Sequence, residues 1–475
     1  MPLSRERLNG AMMDRLPAGV ARPAYDRARI ATGVVHIGVG AFHRAHQAAW
    51  FDEILGQGDL RWGVQGVSLR SPTAEQALNP QDGLYTLVER SAEGETVRVR
   101  GAIRGVITAA GREREVVAAL AAAETHLVSL TITEKGYVPE TADVPTTAAG
   151  FLAQALSARR AAGLSPFTVL SCDNLDDNGA RIRALVLEAA SRIDPVLATW
   201  IERNGAFPSS MVDRITPATT PDERAALEAQ LGYRDEAIVT AEHFRQWVIE
   251  DRFAGPRPDF AAVGVQVVSD VIPWQAAKLR LLNGAHSALA YLGALAGFTC
   301  VHEAIGWPPL RAYVRRLWSE AASTLKPTPG LDLGAYQDAL LKRFDNPHLA
   351  HRLTQIAMDG SQKLPSRLLA TTRDRLAAGA SIDALALAVS AWVRWQRGVD
   401  EAGATFKVED PRAAELARSL AGANTAAEMV AAVTAERAVF SASLAANPVF
   451  IEALTRQLDS LLSEGAQATI EAVSP

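Results

Sequence analysis

One short run carries the chain straight into a glycine pair: Gly33-Val34-Val35-His36-Ile37-Gly38-Val39-Gly40-Ala41-Phe42-His43-Arg44-Ala45-His46. Apart from His36, the run is apolar on both sides of the strand alternation, so it reads as a strand covered on both faces. Gly38 and Gly40 then allow a tight turn and close approach to a pyrophosphate held at the start of the next helix. His43 stands where a third glycine is usual. Further β-branched runs at 62–69, 127–133 and 167–171 alternate with alanine-rich helical stretches at 115–124, 150–163 and 179–191. That alternation predicts an α/β fold, with a parallel sheet covered by helices in an expanded Rossmann-type N-terminal domain. An additional strand pair is expected at 85–89 and 97–103.

The texture changes near residue 255. Ala254-Gly255-Pro256-Arg257-Pro258 is a breaker cluster and reads as an inter-domain connection. After an extended run at 263–268 the pattern becomes mostly helical. Pro273 is placed to open a helix running to about residue 293, and amphipathic patterns follow at 310–325, 333–344, 382–397, 411–420 and 425–439. The expected division is therefore a dinucleotide-binding domain over 1–268 and a mostly helical substrate and catalytic domain over 269–475.

Charge and cysteine content narrow the partners. With 48 basic against 53 acidic residues, net −5, there is no electrostatic footprint for nucleic acid. No stretch reaches the roughly 18 uninterrupted apolar residues of a membrane span, and Met-Pro-Leu-Ser-Arg-Glu-Arg has no signal-peptide core behind it. A cytoplasmic protein without membrane or nucleic-acid partners is expected. Cys172 and Cys300 are the only cysteines, too few for a four-cysteine zinc site or a disulfide framework.

Three further motifs carry possible chemistry. In Pro273-Trp274-Gln275-Ala276-Ala277-Lys278-Leu279-Arg280-Leu281-Leu282-Asn283-Gly284-Ala285-His286, a helical repeat puts Lys278, Asn283 and His286 within a sector of roughly 140°. A lysine on such a leucine-rich face is costly unless paired or functional. The plain alternative has Lys278 reaching water and Asn283 capping a neighbour. Ser171-Cys172-Asp173-Asn174 and Thr131-Ile132-Thr133-Glu134-Lys135-Gly136-Tyr137 end two strands, at the edge where doubly wound sheets hold ligands; turn chemistry is the alternative. The second strand ends Ser68-Leu69-Arg70-Ser71-Pro72-Thr73, with no acid for a ribose. There Arg70 either faces a 2′-phosphate or is simply solvated. His348 and His351, with Asp345, read as polar groups of surface helices, since Asn346-Pro347 breaks the chain between them. His43 and His46 read as helix-start hydrogen bonders.

Taken in order, Gly38-x-Gly40-x-Phe42-His43-Arg44-Ala45-His46, Ser171-Cys172-Asp173-Asn174, Met211-Val212-Asp213-Arg214 and Lys278-x4-Asn283-x2-His286 resemble the mannitol dehydrogenase family of polyol-specific long-chain dehydrogenases and reductases. The resemblance continues through Phe244–Asp251 and Asp359-Gly360-Ser361-Gln362-Lys363, so it covers nearly the whole chain. It implies Lys278 as general base, Asn174 and Asn283 holding the reacting oxygen, and His286 orienting the substrate, without a metal. It further implies cofactor contacts at Gly38, Gly40, Phe42, Arg70, Thr133 and Glu134, and substrate or proton-relay roles for Asp213 and Lys363. The implied cofactor is NAD, the substrate an acyclic polyol such as D-mannitol (or its ketose, D-fructose), and the protein a monomer. The chemistry is coherent. Oxidising a secondary alcohol needs a base for the hydroxyl proton, and two amide donors would stabilise the developing alkoxide. A free lysine, with a pKa near 10.4, needs burial to become such a base.

The sequence departs from the family pattern twice. Gln275 stands where relatives commonly carry a proton-passing glutamate. Pro72-Thr73 stands where NAD-preferring members often have an acid, which leaves NADP open. A hexuronate reductase of fructuronate or tagaturonate type is the alternative within the family, with Lys363 and Arg367 as candidate carboxylate contacts. A catalytically silent nicotinamide-binding regulator and a zinc-dependent alcohol dehydrogenase are rival readings outside it.

Overall fold

The computed structural model describes residues 6–349 and 351–473. The chain divides into two compact units, Met1–Ile272 and Pro273–Pro475.

The first unit is built on five parallel strands lying side by side: Ile103–Thr108, Val64–Ser68, Val34–Ile37, Leu127–Leu130 and Thr168–Ser171. Numbered along the chain this is the order 3-2-1-4-5, that of the dinucleotide-binding fold. Val34 pairs with Val64 on one side and with Leu127 on the other. Alternation along the central strand feeds two cores. Val34 joins one with Trp62, Leu170 and Trp247, while Val35 and Ile37 join another with Leu130, Phe151 and Val169.

The expected strand at 97–103 is two strands. Gly94–Arg100 forms an antiparallel hairpin with Tyr85–Ser91, and Ile103–Thr108 leaves to pair with Val64–Ser68 in the parallel sheet. The break falls at Gly101, whose N–H donates to the Asp52 carboxylate at 2.7 Å instead of to a strand partner. The breaker cluster at 254–258 lies inside the first unit. It belongs to the crossover between Gln246–Glu250 and Gln266–Val268, which are parallel neighbours and cannot be joined by a tight turn.

The second unit is helical. A single run extends from Ile272 through Gly293, and it changes register three times: Ile272–Ala277 is α, Lys278–Asn283 is π, Gly284–Ala288 is α and Leu289–Gly293 is π. Gly297, at φ +93°, ends it, with the Phe298 N–H bonded to Gly293 O at 2.9 Å. The Asp383–Trp395 helix is buried from Ala384 through Trp395, the mark of a central helix. The Tyr313 hydroxyl donates to Ala384 O at 2.7 Å, and Ser390 Oγ to Leu454 O at 3.0 Å. These tie the helices Pro308–Ala322 and Pro448–Ser463 to it. No helix among the described residues is long and apolar enough to cross a membrane.

Candidate active site

The turn after the first strand has the properties its sequence calls for. Gly38 sits at φ +102°, and a Cβ there would lie 2.1 Å from Thr131 O, so only glycine fits. At Gly40 a Cβ would meet nothing nearer than 4.0 Å. Gly40 precedes the Ala41–Ala45 helix without capping it by a side chain. The backbone is therefore bare and open, which fits the pyrophosphate of a dinucleotide.

His43 is not a helix-start hydrogen bonder. Its ring lies flat on His36, with centroids 3.4 Å apart and planes 12° apart. His36 in turn hydrogen-bonds Ser129 Oγ at 2.8 Å and Thr131 Oγ1 at 2.9 Å. Burial holds His36 down at about 3 and His43 well below its ordinary value. His46 Nε2 bonds the Gln246 carbonyl at 2.8 Å, far along the chain, and the Phe42 ring stacks on His46 at 5.1 Å. Both histidines thus brace the turn from inside, through contacts that no local pattern announces.

At the end of the second strand Arg70, Ser71 and Thr73 are exposed. Ser71 Oγ and Thr73 Oγ1 are 2.7 Å apart, and the Thr73–Leu78 helix starts there.

Two other strand ends are joined by Asp173. Its buried carboxylate accepts from the Thr133 N–H at 2.8 Å, the Ile132 N–H at 3.3 Å and the Tyr137 hydroxyl at 2.9 Å. Burial raises this carboxyl to about 6. Thr133 is held at φ +60°, an outlier for a β-branched residue. Thr133, Glu134 and Asn174 are exposed around this clamp. Asp173 was visible only as part of its motif; its role as a clamp depends on two strands meeting. Asp213 is buried at the end of the Ser210–Asp213 strand, opposite Gln246. The adjoining Arg214 pairs with Glu89, which Arg100 approaches at 3.7 Å.

In the second unit Lys278, Asn283 and His286 are 6%, 6% and 7% exposed. Arg280 leaves this group and pairs with Asp374 at 2.7 Å. A π-helix bonds each N–H five residues back, so Lys278 and Asn283, at its two ends, come toward one face. The Trp318 indole N–H donates to Leu281 O at 2.9 Å and fixes the segment from outside. Asn283 Nδ2 and His286 Nε2 are buried without a hydrogen-bond partner among the described residues. Gln275 is buried one turn before Lys278.

The His286 ring packs on Phe344 at 4.8 Å and meets His351 edge-on at 5.1 Å, with planes 88° apart. His351 is therefore not a surface polar group as its sequence context indicated. Backbone pairing with residues 299–301 carries it inward. His348 is exposed. Burial first, then the neighbouring His351 and the positive charges of Arg367, Arg343 and Lys278, hold His286 well below its ordinary value. Arg367 Nη1 donates to Ser287 Oγ at 3.3 Å, and half-buried Lys363 donates to Ile356 O at 3.3 Å and to Met358 O. Among the described residues no group of three His, Cys, Asp or Glu side chains could hold a metal ion.

Comparison with known proteins covers both units. Residues 32–262 match the mannitol dehydrogenase Rossmann domain, and residues 270–462 match the mannitol dehydrogenase C-terminal domain. The chain is 40% identical to D-mannonate oxidoreductase of Escherichia coli strain K12, over 96% of this chain and 98% of the relative. It is 40% identical to a mannitol 2-dehydrogenase of Phaeosphaeria nodorum, over 98% of this chain and 85% of the relative. Among solved structures, the Pseudomonas fluorescens mannitol 2-dehydrogenase in ternary complex with NAD and D-mannitol superposes with a TM-score of 0.91 at 37% identity. That match covers 98% of this chain and 99% of the other.

Proposed function

Since the chain belongs to the mannitol dehydrogenase family, we propose that it is an NAD-dependent oxidoreductase acting on a secondary alcohol of an acyclic polyol. The observation that carries this reading is the buried Lys278, Asn283 and His286 on one helical run, with Asn283 Nδ2 and His286 Nε2 unpartnered among the described residues. Buried polar atoms nearly always find partners, so these two fit groups that a substrate brings. Lys278 Nζ takes the hydroxyl proton in the oxidation direction and returns it in reduction. The carboxamides of Asn283 and Asn174 donate to the oxygen as its charge develops, as an oxyanion hole does. His286 orients the carbon chain. Asp213 and Gln275, both buried, belong to the path by which the proton reaches water, with Gln275 acting as a hydrogen-bond relay because it takes up no proton.

Gly38 and Gly40 hold the pyrophosphate, with Phe42, Arg70, Thr133 and Glu134 around the rest of the dinucleotide. When bound, the nicotinamide supplies the hydride acceptor and donor. NAD is the favoured cofactor, in line with the NAD complex of the structural relative, and because no residue at 68–73 is acidic the discrimination against NADP is weak. We place the protein as a monomer in the cytoplasm, where its two buried free cysteines suit reducing conditions.

A second reading is a sugar acid as substrate. It is supported by the D-mannonate oxidoreductase relative and by the basic side chains of Arg343 and Arg367 acting on His286. The deciding experiment is initial rates with mannitol, arabinitol, sorbitol, fructose, fructuronate, tagaturonate and mannonate, each with both cofactors. The polyol reading predicts the highest kcat/KM for a neutral substrate. Preserved NAD binding with no turnover of any of them would overturn the enzyme assignment in favour of a silent nicotinamide-binding protein.

A further inference from the structure

His351 takes no part in the chemistry above, yet it is fixed against His286 with care. Its main chain is pinned on both sides: the Val301 N–H bonds His351 O at 3.0 Å, and the Leu353 N–H bonds Thr299 O at 3.0 Å. Cys300 and Arg352 form an antiparallel bridge between these two bonds. The imidazole is thereby delivered to the edge of the His286 ring at 5.1 Å. His351 Nδ1 is buried and, like Asn283 Nδ2 and His286 Nε2, has no hydrogen-bond partner among the described residues. Each such atom is costly when left unsatisfied, so three of them on neighbouring side chains favour a ligand that meets them.

We propose that His351 is a second hydroxyl-binding imidazole at the alcohol site, and that with His286 it reads two hydroxyls on neighbouring carbons of the substrate. The inference rests on the assignment of Lys278, Asn283 and His286 to that site. Burial keeps both imidazoles neutral at pH 7, with His351 held at about 4. A neutral imidazole carries one donor nitrogen and one acceptor nitrogen. A hydroxyl also donates and accepts, whereas a carboxylate only accepts. Two neutral imidazoles side by side are therefore matched to a vicinal diol, which an acyclic polyol offers at every pair of adjacent carbons. An edge-on pair fixes the two nitrogens in different directions. The site should then distinguish epimers that differ at one of those carbons, because an inverted hydroxyl leaves a buried nitrogen unmet.

The test compares His351→Ala, His351→Asn and Lys278→Ala with the wild type, using mannitol, sorbitol and arabinitol at saturating NAD. His351→Ala should lower kcat/KM for the best polyol by roughly 10- to 100-fold, mostly through KM, with the KM for NAD unchanged. The loss should differ between mannitol and sorbitol, which differ in one hydroxyl configuration. His351→Asn retains a polar atom near the Nδ1 position and should recover part of the loss. If His351→Ala does not fold, His351→Asn and His351→Gln carry the same comparison. Equal losses on every substrate without recovery by asparagine, or no loss at all, would overturn the proposal. Wild-type turnover by Lys278→Ala would instead overturn the alcohol-site assignment itself. An inactive Lys278→Ala beside fully active His351 variants would remove only the role of His351.

Discussion

Lys278 and Asn283 are the first and last residues of one six-residue π-helix. In a regular α-helix, residues five apart diverge by roughly 140°. Here the Gly284 N–H bonds Leu279 O, five residues back, and the wider turn brings positions five apart toward one face. The neighbouring Gly284 keeps the segment close to a further π stretch, Pro365–Leu369: a Cβ on it would stand 3.1 Å from Arg367 O. The lysine and the carboxamide are thus aligned by a register change in the helix and not by their sequence spacing alone.

Asn283→Ala and Asn174→Ala should each reduce kcat by roughly 10²–10³, the cost of one oxyanion donor. If both carboxamides serve one oxygen, the double variant should lose less than the sum of the single losses in free energy. Steady-state kinetics on all four proteins measures this. A rise in KM alone for either variant would assign that asparagine to substrate binding away from the reacting oxygen.

The two glycines of the turn should behave differently. Gly38→Ala places a Cβ 2.1 Å from Thr131 O at φ +102°, and should destabilise the protein by about 2–4 kcal/mol through strain and overpacking. Gly40→Ala adds a methyl group where nothing lies within 4.0 Å. It should keep the unfolding midpoint and weaken NAD binding. Denaturant titration with NAD binding isotherms separates the two, and an unaltered NAD affinity in Gly40→Ala would move the pyrophosphate away from this turn.

Acid should destabilise the first unit. His36 and His46 are each held at about 3 by burial, against an ordinary 6.5. Between about pH 3 and 6.5 the unfolded chain binds the extra protons, so stability rises with pH through this window and levels off above it. Each histidine contributes a slope of at most about 1.4 kcal/mol per pH unit. Asp173, raised to about 6, opposes this between about pH 4 and 6, because there the folded form binds the extra proton. Burial raises Asp235 as well, but these two carboxyls are outweighed by His36, His46 and His43, the last also lowered. Urea midpoints at pH 5, 6 and 7 should therefore increase, and His36→Asn should flatten the increase. An unchanged slope in that variant would assign the proton uptake to other groups.

Cofactor choice should respond at the end of the second strand. Thr73 is exposed and opens the Thr73–Leu78 helix, where an added carboxylate is tolerated by the helix dipole. Thr73→Asp should disfavour NADP by about 1 kcal/mol at this solvent-screened position, roughly five-fold in the NADP-to-NAD ratio of kcat/KM. No change in that ratio would mean that the strand end does not meet the ribose.

Much of this was legible in the residues because it is local. Val34–Ile37 is a strand, Gly38 turns, and a helix starts near Pro273 and runs to Gly293; each follows from neighbours a few positions apart. The helices Pro221–Leu231 and Pro448–Ser463 open on the capping and proline signals of Thr220-Pro221 and Asn447-Pro448, and the second buries Phe450, Leu454, Leu458 and Leu461 along one face, but neither is among the helices expected from the sequence above. The strand Ile103–Thr108 was hidden because its β-branched run adjoins that of the hairpin, and only the Gly101–Asp52 bond parts them.

Sequence alone determined the parallel sheet with its glycine turn, the helical second half and the spacing of Lys278, Asn283 and His286. All of these are set by backbone periodicity and by the conformations that glycine and proline permit. Tertiary structure alone decided that His43 lies on His36, that Asp173 ties the Thr133 loop to its own strand end, and that His351 reaches His286 from 65 positions away. Those relationships depend on which surfaces bury one another. A ring that looks polar and exposed in its own segment becomes buried when a distant strand or bridge brings it against another side chain, and no local pattern encodes the partner.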